Sequence, residues 1–574
     1  MTNISLAARR VRVFSVMALL VATIGATNPA TAASPHAPHG SASVAGQEAG
    51  APTARQAGPV STAGVEWQPC GSDHPGYDCA TVPVPLDYDD PAQAMTYVAL
   101  TRWPAADPQN RIGSVFLNPG GPGASGVEYV LSGFGEGLGG ELEGRFDVVG
   151  FDPRGVGASE PLNCFDTPEG FGNYLASQPL FPYRQDQYRP FFKIHARLGP
   201  ECHDDHQRIA GHMNTADVAR DLDRLRDAVG DEKLTYLGFS YGSYLGNTYA
   251  NLFPDKVRAL AIDGVVDPRL WSSGRQIDSD RTAPQAVLDE FLRLCDAAGA
   301  ECALWSGEGS QQRWNQLLET IREAPIVLDD DVVITYDMLI GLVSGLLYDP
   351  GLWGGDGGAA AFLDALTDAA LAGDGEAAAE AVRLRAELIE RLTEGRGQSA
   401  YANQQDALYG NHCADTEYPH AFSDWRAIGE YAQEGSPFGP LFWWSRSTGC
   451  ADWPVNEDRY VGPWTAHTAN PVLVVGNYFD PATDYDGAVA SDRLLGNSRL
   501  LSYAGWGHTA YGVSQCATEH VNAYLLTVAL PPKGAVCPAN RNPFLPQAQT
   551  SHPTPPIGPP VPWLARPNQP AGTP

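Results

Sequence analysis

The chain has 574 residues, of which 43% are hydrophobic and 10% aromatic, a balance typical of a folded globular protein. It carries 37 Lys and Arg against 67 Asp and Glu, a formal net charge of −30. This acidic balance, with only four lysines, argues against nucleic acid and anionic membranes as partners. At ~150 residues per domain, the length fits several domains or one domain enlarged by an insertion.

The amino terminus has the pattern of a secretory signal peptide. Basic residues at 9, 10 and 12 precede an apolar run from Val13 to Ile24. This run cannot cross a bilayer, which needs about 20 apolar residues in a helix. The small residues Ala30-Thr31-Ala32 then match a signal peptidase site. We predict a signal peptide over residues 1–32 and a secreted, extracellular protein, with general or twin-arginine export both open.

The segment after the signal peptide, residues 33–64, is rich in Ala, Gly, Ser and Pro and is predicted to be a flexible leader or pro-segment. At the other end, the many prolines of residues 543–574 predict a disordered, extended tail. Such a tail could act as a spacer or contact the cell wall.

Between these ends, short apolar runs are each followed by a Gly-rich or Asp-rich turn, which is typical of buried strands. The runs cover residues 114–118, 146–151, 234–239, 257–262, 471–476 and 499–504. Helical periodicity separates several of them, as from Thr215 to Val229. Strands that alternate with helices predict an α/β fold with a mostly parallel sheet.

The alternation stops between residues 269 and 465, where amphipathic helical patterns dominate. Four predicted helices cover residues 286–297, 312–322, 336–347 and 377–392. We therefore predict a core in two parts, residues 65–268 and 466–542, with a helical cap inserted at 269–465 before the last strands. A cap at that place would cover the edge of the sheet where α/β proteins bind ligands.

Ten cysteines form an even set, which in an exported protein favours disulfides over metal ligation. The simplest of many pairings joins sequence neighbours: Cys70–Cys79, Cys164–Cys202, Cys295–Cys302, Cys413–Cys450 and Cys516–Cys537. A cluster of potential zinc ligands at Cys202, His203, Asp204, Asp205, His206 and His212 lacks a recognised ligand spacing. We predict no metal and no cofactor.

The sequence Gly238-Phe239-Ser240-Tyr241-Gly242 matches GxSxG, directly after one predicted strand and before an apparent helix. That context is typical of a nucleophile elbow, in which a tight turn exposes the serine above the sheet. A serine nucleophile needs a histidine base and an acid, in the chain order Ser, acid, His. Asp480 and His508 follow the last two predicted strands in that order. Asp263, after the strand at 257–262, is the rival acid.

Acyl transfer also needs N–H donors for the developing oxyanion. The residue after the nucleophile, Tyr241, supplies one, and the loop Asn118-Pro119-Gly120-Gly121-Pro122-Gly123 after an early strand supplies the other, which we assign to Gly121. A phosphate-binding function for this loop is disfavoured because GxGxxG spacing and a Walker lysine are both missing.

These motifs resemble those of the secreted tripeptidyl aminopeptidases, relatives of the prolyl aminopeptidases in the α/β-hydrolase superfamily. The resemblance covers roughly residues 65–540 and is carried by five segments: 118–126, 151–159, 237–246, 479–488 and 505–512. It implies an α/β-hydrolase fold with Ser240, Asp480 and His508 as the triad and Gly121 and Tyr241 as the oxyanion hole. The implied activity is release of short peptides, typically tripeptides, from free amino termini.

An exopeptidase must also bind the substrate ammonium, for which Asp415 and Glu417 are candidate carboxylates. A secreted carboxylesterase or lipase would use the same triad on an ester, and the motifs do not separate the two activities. A non-catalytic wall-binding protein is a further alternative, against which the complete catalytic set argues.

Overall fold

The computed structural model describes residues 64–546 apart from 166, 168–169, 171–173, 175–177, 204–207, 330–331, 394–402 and 455–457. The predicted signal peptide, the leader up to residue 63 and the tail from residue 547 lie outside the described residues.

The centre of the protein is one ten-stranded sheet. The strands of the described residues, inside and outside this sheet, are β1 (Gln68–Pro69), β2 (Asp78–Pro85), β3 (Met95–Trp103), β4 (Gly113–Asn118), β5 (Phe146–Phe151), β6 (Leu234–Phe239), β7 (Val257–Asp263), β8 (Ile326–Val327), β9 (Val333–Ile334), β10 (Val472–Phe479), β11 (Ser498–Trp506) and β12 (Val536–Cys537). The sheet has the order β1-β2-β3-β5-β4-β6-β7-β10-β11-β12, and β8 pairs with β9 in a separate hairpin. From β5 to β12 neighbouring strands are parallel, whereas β1, β2 and β3 are antiparallel to their neighbours.

Helices cover both faces of the sheet and fill the region between β7 and β10. They are α1 (Gly126–Tyr129), α2 (Gly135–Glu141), α3 (Gln185–His195), α4 (Leu198–Cys202), α5 (Thr215–Ala228), α6 (Tyr241–Leu252), α7 (Pro268–Ser272), α8 (Ile277–Asp280), α9 (Ala283–Ala298), α10 (Ser310–Glu323), α11 (Tyr336–Leu346), α12 (Ala359–Ala372), α13 (Gly375–Thr393), α14 (Gln404–Asp415), α15 (Phe422–Ala432), α16 (Tyr485–Leu494) and α17 (Gln515–Thr527). Short 3₁₀ segments cover Arg208–His212, Pro254–Lys256, Gly299–Glu301, Pro350–Leu352 and Thr448–Cys450, and π-helical turns cover Val130–Phe134 and Leu441–Arg446.

The apolar runs account for the position of the central strands. Every residue of β4, β5 and β6 is buried, because helices pack on both faces of the sheet. One apolar layer joins the sheet to α2 and α17, and the other joins it to α5, α6 and α16. Each of the six predicted strands is present, and the predicted α/β fold with a mostly parallel sheet and an inserted helical region is confirmed.

The helices between β7 and β10 share one apolar cluster with residues that come before β6. This cluster contains side chains of α9 to α15 together with Leu180, Phe191 and Met213. The helical layer over the sheet is therefore built from two separate stretches of the chain. The sequence boundaries drawn at residues 269 and 465 stay a prediction.

Five disulfides tie the loops and helices, and each joins the sequence neighbours that the simplest pairing predicted: Cys70–Cys79, Cys164–Cys202, Cys295–Cys302, Cys413–Cys450 and Cys516–Cys537. Disulfides of this density are typical of proteins that fold in an oxidising compartment. Among the helices within the described ranges, none is long and apolar enough to cross a membrane.

Candidate active site

Ser240 occupies a sharp turn between β6 and α6. Its backbone has φ 56° and ψ −122°, a conformation that costs energy for any residue with a side chain, and its N–H donates to the carbonyl oxygen of Asp263 at 2.9 Å. The flanking glycines make the turn possible: a Cβ at Gly238 would lie 2.5 Å from the carbonyl oxygen of Gly242, and one at Gly242 would lie 2.8 Å from that of Asn118. The GxSxG motif therefore forms the strand-turn-helix geometry predicted from the sequence.

His508 and Asp480 meet in the loops that follow β11 and β10, which are parallel neighbours in the sheet. Nδ1 of His508 lies 2.9 Å from Oδ1 and 3.0 Å from Oδ2 of Asp480. Since a carboxylate can only accept hydrogen bonds, Nδ1 carries the proton and Nε2 is left as an acceptor. Nε2 is buried and has no hydrogen-bond partner among the described residues. The imidazole is thus held in the tautomer that can take a proton from a nucleophile.

The carboxylate of Asp480 is fixed by several further donors. The backbone N–H groups of Ala482 and Thr483 each donate to Oδ1 at 2.9 Å, and that of Thr509 donates to Oδ2 at 3.2 Å. The hydroxyl of Thr483 donates to Oδ2 at 2.9 Å. These contacts prevent the carboxylate from rotating away from the imidazole.

Asp263, the rival acid, contacts the backbone of the histidine loop rather than the imidazole nitrogen. Its carboxylate accepts from the N–H of Ala510 at 3.0 Å and from that of Tyr511 at 2.8 Å. Burial raises the pKa of Asp263 to about 6. The arrangement gives Asp263 a role in shaping the loop and leaves Asp480 as the partner of His508.

The glycine loop after β4 approaches the elbow closely. Gly120 has φ 96°, and a Cβ there would lie 2.9 Å from Cβ of Ser240 and 3.1 Å from the backbone nitrogen of Tyr241. Gly121 follows with φ 103°. Tyr241 is the first residue of α6, and the first N–H groups of a helix have no acceptor within the helix. The glycine loop therefore lies directly against the start of α6.

The cap contacts the histidine loop through Tyr348, which sequence analysis did not single out. The backbone N–H of His508 donates to the carbonyl oxygen of Tyr348, and burial raises the pKa of the Tyr348 phenol. With the cap in place, Ser240, Asp480 and His508 are only 7%, 2% and 0% exposed. A residue such as Tyr348 has no local sequence signal, because only the tertiary fold brings it to the site.

The two candidate ammonium ligands have different surroundings. Asp415 is buried, and its oxygens accept from the backbone N–H and hydroxyl of Thr215 and from the indole N–H of Trp271. Burial raises the pKa of Asp415 to about 7. Glu417 is exposed and pairs with Arg459 at 2.8 Å, at the rim of a cavity of about 650 Å³. The lining of that cavity includes neither residue of the Asp480–His508 pair.

The described members of the cysteine and histidine cluster that was considered as a zinc site do not form such a site. Cys202 is in a disulfide with Cys164, and Nδ1 of His203 contacts the carbonyl oxygen of Gly199 at 2.9 Å. Asp204, Asp205 and His206 lie outside the described residues.

Known proteins resemble this chain over most of its length. Two family descriptions match it: "alpha/beta hydrolase fold" at residues 113–293 and "TAP-like protein" at residues 436–537. Serine protease Hip1 of Mycobacterium tuberculosis is 31% identical, over 84% of this chain and 93% of Hip1. Tripeptidyl aminopeptidase of Streptomyces coelicolor is 29% identical, over 84% of this chain and 87% of that protein. Carboxylesterase B of Mycobacterium tuberculosis is 31% identical, over 80% of this chain and 86% of that protein.

Proposed function

Since this chain belongs to the TAP-like family of α/β hydrolases and is a serine hydrolase, we propose that it is a secreted exopeptidase that releases short peptides, chiefly tripeptides, from free amino termini. The similarity to a serine protease and to a tripeptidyl aminopeptidase over more than four fifths of each protein supports peptides as the substrate. The five disulfides support secretion.

In this proposal Ser240, His508 and Asp480 act as the catalytic triad. His508 takes the hydroxyl proton of Ser240 as the oxygen attacks the scissile carbonyl, and Asp480 stabilises the imidazolium that forms. His508 then gives the proton to the leaving amine. Water, activated by the same base, hydrolyses the acyl-enzyme and releases the short peptide.

The backbone N–H groups of Gly121 and Tyr241 stabilise the tetrahedral oxyanion in this mechanism. Fixed donors at such a position are each worth about 10²–10³ in rate. The close approach of the glycine loop to the elbow supports this assignment, because any side chain at Gly120 would collide with Ser240.

The observation that carries the proposal is the buried Asp480–His508 pair. Nε2 of His508 has no hydrogen-bond partner among the described residues, and the loop that contains His508 lies next to the turn that contains Ser240. A Cβ at Gly264, one residue after the acceptor of the Ser240 N–H, would lie 3.3 Å from Cε1 of His508. Burial of all three side chains under the cap supports a substrate that enters by its end, because an internal segment of a folded protein is too bulky to reach them.

The test uses purified protein, with Ser240→Ala as its control, on three substrates: a tripeptidyl anilide with a free amino terminus, its N-acetylated counterpart and a short acyl ester. We expect the enzyme to cleave the tripeptidyl anilide with a free amino terminus and to cleave the acetylated anilide much more slowly. The Ser240→Ala variant should cleave neither. Equal cleavage of both anilides would indicate a peptidase that ignores the amino terminus.

A second candidate function is a carboxylesterase with the same triad. The chain is 31% identical to Carboxylesterase B and 31% identical to the serine protease, so identity alone does not favour either activity. Turnover of the ester with none of either anilide would establish the esterase and reject the peptidase.

A further inference from the structure

Asn411 is a buried amide without a partner. It lies within α14 and is 0% exposed, and neither its amide nitrogen nor its amide oxygen has a hydrogen-bond partner among the residues that the structure describes. Buried polar groups of folded proteins are nearly always paired, and an exception needs an explanation. A functional explanation is that the partner is the substrate.

The face of α14 that carries Asn411 begins next to the glycine loop. Positions 404, 408, 411 and 415 lie on one face because they are three or four residues apart. At the start of this face, the glycine loop packs against the helix: a Cβ at Gly123 would lie 2.7 Å from the backbone nitrogen of Leu408. The amino-terminal half of the face therefore borders the loop that carries Gly121.

At its other end, the same face is linked through Thr215 to Tyr241, the residue that follows the nucleophile. Asp415 accepts from the hydroxyl of Thr215 at 2.6 Å, and that hydroxyl is hydrogen-bonded to the phenol of Tyr241. Asn411 lies between these two contacts on the helix. The face that carries Asn411 therefore borders both elements assigned to the oxyanion hole, the glycine loop near its start and Tyr241 near its end.

We propose that the side-chain amide of Asn411 binds a peptide group of the substrate on the acyl side of the scissile bond, its oxygen accepting from the substrate N–H and its nitrogen donating to the substrate carbonyl. A carboxamide has one acceptor and two donors in the geometry of a peptide group, so the two are complementary. This inference rests on the proposed peptidase function, because a short acyl ester carries no peptide group. It makes Asn411 a specificity-determining residue that favours peptides over esters.

The experiment replaces Asn411 with leucine, which has a similar shape and no polar atoms, and measures the tripeptidyl anilide and the short acyl ester side by side. We expect kcat/KM for the anilide to fall about 10- to 100-fold, the loss of one or two hydrogen bonds. The ester should change less than about twofold, because it makes neither bond. The Tm should stay the same or rise, since Asn411→Leu breaks no hydrogen bond of the free protein.

A matched control is Asn247→Leu. Asn247 is also buried, but it lies seven residues after Ser240 in α6, and its amide donates to the hydroxyl of Ser491 at 3.2 Å. This variant should lower the Tm and leave the ratio of anilide to ester activity unchanged. Asn411→Ala serves as a second variant if leucine is too large, with the same expected ratio.

Two results would overturn the inference and differ in meaning. If the unchanged protein cleaves the anilide and Asn411→Leu lowers neither activity, or lowers both equally, Asn411 does not bind the peptide group and the peptidase proposal stands. If the unchanged protein cleaves the ester alone, the peptidase proposal fails and this inference fails with it.

Discussion

The backbone N–H of His508 donates to the carbonyl oxygen of Tyr348 at 2.9 Å, and the two rings meet edge to face with their centroids 5.0 Å apart. One residue belongs to a loop of the sheet and the other to the cap. A Cβ at Gly507 would also lie 2.7 Å from Pro350, so the cap touches the histidine loop at two successive residues. The cap therefore supports the base as well as covering it.

Removal of the Tyr348 ring should reduce catalysis through the position of His508. We expect Tyr348→Ala to lower kcat about 10-fold for anilide and ester alike, because a small displacement of the base slows proton transfer to either substrate. Tyr348→Phe keeps the ring and should stay close to the unchanged protein. Steady-state kinetics on both substrates checks this. A rise in KM with kcat unchanged would show that the ring serves substrate access and not the base.

The identity of the acid can be tested by comparing two carboxylates. Asp480→Asn should lower kcat about 10⁴-fold, because an amide no longer holds the imidazole in the required tautomer. Asp263→Asn should mainly cost stability, about 1–3 kcal/mol, because one of the two carboxylate oxygens that accept from the N–H groups of Ala510 and Tyr511 becomes an NH₂ donor.

The measurements are kcat on the preferred substrate and Tm for each of these two variants. A loss of kcat in Asp263→Asn as large as that in Asp480→Asn, at an unchanged Tm, would make Asp263 the acid.

The sequence predicted the parallel part of the sheet well because its strands are buried on both faces. Residues 146–151 and 234–239 were predicted with the bounds observed for β5 and β6. The antiparallel strands β2 and β3 were not predicted, because β2 mixes exposed with buried residues and contains two prolines, and the short buried run of β3 is flanked by partly exposed residues. Local pattern therefore identifies continuous apolar runs and misses strands at the half-exposed edge of the sheet.

The residues of the candidate site also differ in whether the sequence carries a local signal for them. Ser240, Asp480 and His508 could be proposed from sequence because each follows a predicted strand, and the carboxyl ends of parallel strands lie at one edge of the sheet. Tyr348 and Asn411 could not, since Tyr348 lies in the turn after α11 and Asn411 lies in α14, and the packing of these segments on the sheet has no local signature. Tertiary packing also explains why Asp415, a candidate ammonium ligand by sequence, already accepts hydrogen bonds from Thr215 and Trp271.

The disulfide Cys413–Cys450 should stabilise the helix that carries Asn411. Its cysteines are 37 residues apart, and restricting a loop of that length in the unfolded chain is worth about 4 kcal/mol. The double serine variant should therefore have a clearly lower Tm. The matched control is the double serine variant of Cys295–Cys302, where a separation of 7 residues predicts about 2.5 kcal/mol. Equal decreases in Tm would contradict an effect of loop length.

The carboxyl of Asp415 makes stability depend on pH. Burial raises its pKa from 3.8 to about 7, so between these values the folded protein keeps a proton that the unfolded chain releases. The stabilisation is complete below about pH 4 and is lost as pH rises through about 7, by up to roughly 4 kcal/mol. The protein should therefore melt at a higher temperature at pH 5 than at pH 8, a trend to which Asp263 and Asp280 contribute because burial raises the pKa of each to about 6.

The variant Asp415→Asn isolates this one carboxyl, because an amide does not titrate while the other buried acids stay as they are. Its Tm relative to the unchanged protein should rise from pH 5 to about pH 7 and then level off, whatever constant offset results from exchanging the acceptor of the Thr215 and Trp271 hydrogen bonds. Thermal melts of both proteins at four pH values provide the measurement. A difference in Tm that does not vary with pH would mean that Asp415 is ionised in the fold throughout this range, and hence that its charge is stabilised there by the donors of Thr215 and Trp271.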